Sequence, residues 1–116
     1  MGADPSADVA VVSITGEIDL ANAESHADVL CALLDLNGSA VLVVDCSELE
    51  LLESQGMAMM HRVHRHGEAR GTDVIWAGLA PRHLRVLEVS GLDRFLHVET
   101  GPDPGRGLTR RAIPPR

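Results

Sequence analysis

At 116 residues and 12.4 kDa the chain has room for one small domain and not for two. Its 45% hydrophobic content excludes a wholly disordered chain, while 2% aromatic content means the core must be built from Val, Leu, Ile, Ala and Met. No apolar run approaches the ~20 residues of a bilayer span, and residues 1–100 set 6 arginines against 16 acidic residues, a balance that repels phosphate backbones. Residues 101–116 reverse the sign, with 4 arginines and one Asp, and the chain contains no Lys. The start of the chain has neither a basic nor an apolar stretch, so no signal peptide and a cytoplasmic location are expected.

In chain order, residues 1–8 are polar, contain Pro5, and read as a flexible N-terminus. The β-branched run Val9–Ile14, closed by Gly16, predicts a strand. Asn22 offers a cap, and Ala23, Ala27, Leu30, Leu33 and Leu34 follow at helical spacing as far as Asn37-Gly38. Ala40–Val44 is short and continuously apolar, as in a strand covered on both faces. After Asp45-Cys46-Ser47, residues 48–53 mix Glu48, Glu50 and Glu53 with Leu49, Leu51 and Leu52 and read as an acidic connection. Ser54 opens a helix whose stripe of Gly56, Met59, Met60, Val63 and Gly67 ends at Gly71. Asp73–Ala77 is the third predicted strand. Pro81 starts a helix carrying Leu84 and Leu87 and stopping at Gly91, and Phe95–Val98 is the last strand. From Gly101 the Gly, Pro and Arg content predicts a mobile tail. The alternation implies an α/β domain over residues 9–100 with a mostly parallel sheet.

Four landmarks in this order carry a resemblance: Gly16-Glu17-Ile18-Asp19-Leu20, Val43-Val44-Asp45-Cys46-Ser47, Leu52-Glu53-Ser54-Gln55-Gly56-Met57, and Leu87 through Asp93. Over residues 9–98 the chain resembles STAS domains, and more narrowly the single-domain anti-sigma factor antagonists. The resemblance implies a STAS-like α/β fold, with a four- to five-stranded, mostly parallel mixed sheet packed against helices. It also implies a non-enzymatic binding module without a cofactor. Such a module binds an anti-sigma factor that is also a serine kinase and thereby frees a sigma factor. Phosphorylation of the serine matching Ser54 blocks binding, and a phosphatase restores it. The implied partner surface comprises Asp19, Glu53, Ser54, Gln55, Gly56 and Met57. Glu53 and Gln55 stand where the pattern has Asp and Ser or Thr. A scaffold that is not phosphorylated, or an ABC-transporter accessory subunit, would use the same face without phosphate chemistry.

On the residues alone, Ser54 is a helix N-cap whose hydroxyl accepts a backbone N–H bond. A phosphate there meets the unsatisfied N–H groups and positive pole of a helix end. Leu52 stands where a nucleophile elbow requires Gly, which argues against a hydrolase. His61, His64 and His66 fall on the helix that Ser54 opens, and His61, His64 and Glu68 share a face open to a metal, but a solvated face rich in His and Arg is the far commoner reading and no metal is expected. Met57 suits both docking and packing. Asp19 and Asp45 are expected at strand ends on the edge of Ser54. Arg82, Arg85 and Arg94, with the tail arginines Arg106, Arg110, Arg111 and Arg116, read as solvated surface. Cys31 and Cys46 are expected reduced, and their spacing leaves a regulatory disulfide open.

Overall fold

The structure is a computed structural model and describes residues 9–37, 39–99 and 111–112. Strand β1 (Val9–Ile18) leads to helix α1 (Ala23–Asn37), β2 (Val41–Leu52) and α2 (Ser54–Arg70). Then come β3 (Asp73–Ala77), α3 (Pro81–Ser90), a 3₁₀ turn (Leu92–Arg94), β4 (His97–Glu99) and β5 (Arg111–Ala112). The sheet order is β4-β3-β2-β1-β5, and every described pairing is parallel, so the expected mixed character is absent among the described residues. The helices explain this: each returns the chain to the end where the preceding strand began, which makes the next strand parallel. Of the expected tail, Arg111–Ala112 form β5 beside Ala10 and Val11. Residues 101–110 and 113–116, with Arg106, Arg110 and Arg116, lie outside the described residues, as does the N-terminal stretch 1–8.

The continuous apolar run of β2 is buried on both faces, since successive strand residues point oppositely. Leu42 and Val44 join Trp76 and the helix residues Leu30, Leu34, Met60, Val63 and Leu87 in the main core. Val43 joins Val9, Ile75 and Ala77 in a smaller cluster on the other face. The helices end as expected. Gly71 and Gly91 take left-handed φ values of 74° and 80°, and the Gly71 and Thr72 N–H groups close α2 onto Glu68 O and Gly67 O. Among the described residues, no helix is long and apolar enough to cross a membrane.

Three boundaries differ from the sequence expectation. β1 does not stop at Gly16; it runs to Ile18 through register shifts, with Gly16 at φ 81°. β2 absorbs the supposed acidic connection, because β1 extended in this way offers Glu48–Leu52 a ladder partner. Phe95 lies outside β4, at the end of the 3₁₀ turn, and is 66% exposed.

Candidate functional site

The C-terminal ends of β1 and β2 build the site. The Glu53 N–H donates to Ile18 O at 3.2 Å, which keeps the backbone extended through Glu53 (φ −100°, ψ 178°) and starts α2 one residue later. Glu53 thus holds the N-cap position, with no side-chain cap bond, and Ser54 is the first helical residue. This corrects the expected capping role of Ser54. Its hydroxyl is exposed and donates to Gln55 Oε1 at 3.2 Å. Glu53 O accepts from Gly56 N and Met57 N at 2.9 and 3.2 Å, leaving the Ser54 and Gln55 N–H groups without an acceptor among the described residues. An exposed hydroxyl beside two free N–H groups at a helix start is where a phosphate is accommodated most easily.

Gly56 fixes the height of this turn. A Cβ there would lie 2.5 Å from Leu52 Cδ1 and 3.0 Å from Ile18 Cγ2, so α2 meets both strands at a distance only glycine permits. Met57 is half-buried against the core, as its packing role requires, and also borders two surface grooves. Glu53 and Gln55 are exposed.

Asp19 follows β1 and is brought to the same end of the sheet, but its carboxylate is engaged locally. Oδ1 accepts from Ala21 N at 2.9 Å and Asn22 N at 3.2 Å. Asn22 does not cap forward into α1 as expected; it reaches back, accepting from Asp19 N and donating to Glu17 O. Asp45 does not end a strand. It lies within β2 opposite Ala77, the last residue of β3, and accepts from Ser47 N at 2.9 Å.

The other constellations resolve differently. His61 meets Phe95 edge-on at 6.2 Å between ring centroids, whereas His64 Nε2 lies 3.8 Å from Glu68. Among the described residues no three His, Cys, Asp or Glu side chains converge as metal ligands would. Cys31 and Cys46 are free thiols, both buried, so the disulfide alternative is not realised. Burial, reinforced by Asp45, pushes the Cys46 thiol up to about 12, and burial also raises Cys31.

Sequence reading missed the apolar surface beside this turn. Val86, Val89 and Phe95 are 38%, 84% and 66% exposed and border the grooves next to Met57. A signal was present: once Leu84 and Leu87 are assigned to the core, Val86 and Val89 are left on the opposite side of α3.

The fold recurs in known proteins. The family model described as "Mlab, STAS domain" matches residues 1–99. An anti-sigma factor antagonist from Mycobacterium paratuberculosis is 30% identical, with a TM-score of 0.65 over 83% of this chain and 80% of that one. The Bacillus cell fate determinant SpoIIAA in its phosphorylated form is 19% identical, with a TM-score of 0.60 over 81% and 85% of the two chains. The STAS domain of a SulP transporter from Vibrio cholerae is 18% identical, with a TM-score of 0.63 over 78% and 72%. The expected fold is thereby established, and the chain belongs to the STAS domain family.

Proposed function

We propose that the protein is a cytoplasmic anti-sigma factor antagonist. It binds an anti-sigma factor that is also a serine kinase and so releases a sigma factor; phosphate on Ser54 ends the binding, and a phosphatase restores it. The observation that carries this reading is the exposed Ser54 hydroxyl on the first residue of α2, with free N–H groups around it and no role in holding the helix. The 30% identity to an anti-sigma factor antagonist supports the choice of partner class.

A phosphate at Ser54 adds about −1.5 to −2 charges at pH 7. The adjacent Glu53 is exposed, and Glu48 and Glu50 are exposed further back on β2, so the addition increases the negative charge of this end of the molecule and leaves the core untouched. The protein acts as a binding module: Ser54 accepts the phosphoryl group, and the ATP belongs to the partner. Glu53, Gln55 and Met57 offer contact atoms, buried Gly56 sets the height of the turn, and Asp19, bonded within its own connection, stands at the same end of the sheet. The acidic body argues for a protein partner rather than nucleic acid.

The test is incubation with the cognate kinase and ATP, followed by mass-spectrometric mapping. Modification confined to Ser54, and absent from Ser54→Ala, supports the reading; an unmodified wild type contradicts it. Glu53 and Gln55, which differ from the antagonist pattern, favour one second reading, a transporter-associated STAS subunit that docks without phosphate chemistry. Co-purification with transporter ATPase subunits, and with neither kinase nor sigma factor, would select it.

A further inference from the structure

We infer that the trough between α2 and α3 docks an acidic amphipathic helix of a partner protein, held by apolar anchors and by Arg82 and Arg85. The inference rests on the antagonist reading only for which protein supplies that helix. The trough has two walls, each a single helical stripe. On α2 they are Met57, Ala58 and His61, with Ser54 one turn before Met57 on the same stripe; on α3, Arg82, Arg85, Val86 and Val89 follow at spacings of three and four. A groove of about 630 Å³ lies against Met57, Val86 and Val89, and a second of about 380 Å³, sharing Met57 and Ser90, continues it to Phe95.

Charge selects the occupant. Arg62 is paired with Glu24 and Asp28, Arg70 with Asp35, and Arg65 lies near Glu68, so these cations are neutralised on the outer surfaces of α1 and α2. Among the described residues whose side chains are placed, the arginines without an ion pair are Arg82, Arg85 and Arg94. Arg82 and Arg85 line the groove, and Arg94 lies in the turn between Leu92 and Phe95, which line its continuation. Arg82 also donates to Glu50 O at 3.0 Å, which leaves its charge uncancelled, so the arginines without a carboxylate partner border this apolar surface, the pattern expected where carboxylates of a partner arrive. A helix with aliphatic residues along one face and Glu or Asp flanking them matches both features. Ser54 stands at the end of the α2 stripe, so a phosphate there adds negative charge at the mouth of the trough and opposes the same carboxylates.

The experiment uses the full chain as bait for a displayed library of 14-residue helices. Leu, Met or Val is fixed at i, i+4, i+7 and i+11, and Glu, Gln or Lys varies at the flanks. The expected result is enrichment of Glu. The best synthetic peptide shifts amide resonances of α3 and the first turns of α2, and Arg85→Glu weakens it at least tenfold while strengthening its Lys-flanked counterpart. Such a reversal of preference cannot come from misfolding. Selection of neutral or basic flanks, recovery of no binder, shifts mapped elsewhere, or indifference to Arg85→Glu overturns the inference. Peptide binding without Ser54 modification by a kinase would sink the switch and leave the trough standing; modified Ser54 with an indifferent trough would do the opposite.

Discussion

Gly56→Ala tests whether the turn that presents Ser54 is set by close contact of α2 with the ends of β1 and β2. The added methyl would lie 2.5 Å from Leu52 Cδ1 and 3.0 Å from Ile18 Cγ2, against the ~3.5–4.0 Å at which carbon atoms rest. Leu52 can rotate its terminal methyl, but Ile18 is β-branched and 1% exposed, so its side chain has little room to yield. Overpacking of this kind costs about 1–3 kcal/mol. Alanine recovers at most about 1 kcal/mol of helix propensity, and less in a first turn. The net expectation is destabilisation by about 1–2 kcal/mol, with the melting midpoint falling about 4–8 °C per kcal/mol. Urea unfolding followed by fluorescence reads this cleanly, since Trp76 is the single tryptophan and is fully buried. Leu52→Ala alone costs about 2–5 kcal/mol through its cavity. In the double variant the new methyl enters that space, so the two losses fall short of additivity by at least ~0.5 kcal/mol. A Gly56→Ala protein as stable as wild type, or a cycle that closes additively, would refute the packing argument.

Other consequences follow from single residues. Asp19→Ala removes the acceptor for Ala21 N and Asn22 N, and thermal unfolding should show a loss of about 0.5–2 kcal/mol, as for other local caps. His83 is buried, and burial, then the Arg82 charge, outweigh a contact with the Glu50 backbone and hold its imidazole below the ordinary 6.5. The neutral ring belongs to the folded state, so its contribution is complete above pH ~6.5 and is lost as pH falls from there toward the folded-state value. His83→Leu should flatten the stability–pH curve below that point relative to wild type; parallel curves would contradict it. Cys46, its thiol raised to about 12 and 2% exposed, should resist a thiol-reactive dye at pH 8 in the native protein and react in urea.

Much of the fold was written locally. Pro81 and Gly91 bracket α3, and Gly71 closes α2, because each residue carries its own backbone preference. The length of β1 and β2 was not so written. Residues from Glu48 to Leu52 pair with a strand more than thirty positions away through a ladder broken by register shifts, so buried Cys46, Leu49 and Leu52 recur every third residue and the period of two is lost. The placement of Ser54 one residue inside α2 came from the bond between Glu53 and Ile18, again a distant partner. Motif order pointed to the STAS family, while the trough needed the positions of α2 and α3 relative to each other. The α3 pattern of buried His83 and Leu87 shows which side faces inward but not what lies beside the other.

The most direct measurement is the affinity of the full chain for its purified cognate anti-sigma factor kinase, by titration calorimetry, with phosphoserine incorporated at position 54 during translation. Ser54→Ala, which loses only an exposed bond to Gln55, serves as the folded control. The expected result is that Ser54→Ala binds like wild type, whereas the phosphorylated protein binds at least tenfold more weakly, ~1.4 kcal/mol or more. Equal affinity of the phosphorylated and unmodified proteins would contradict a switch at Ser54.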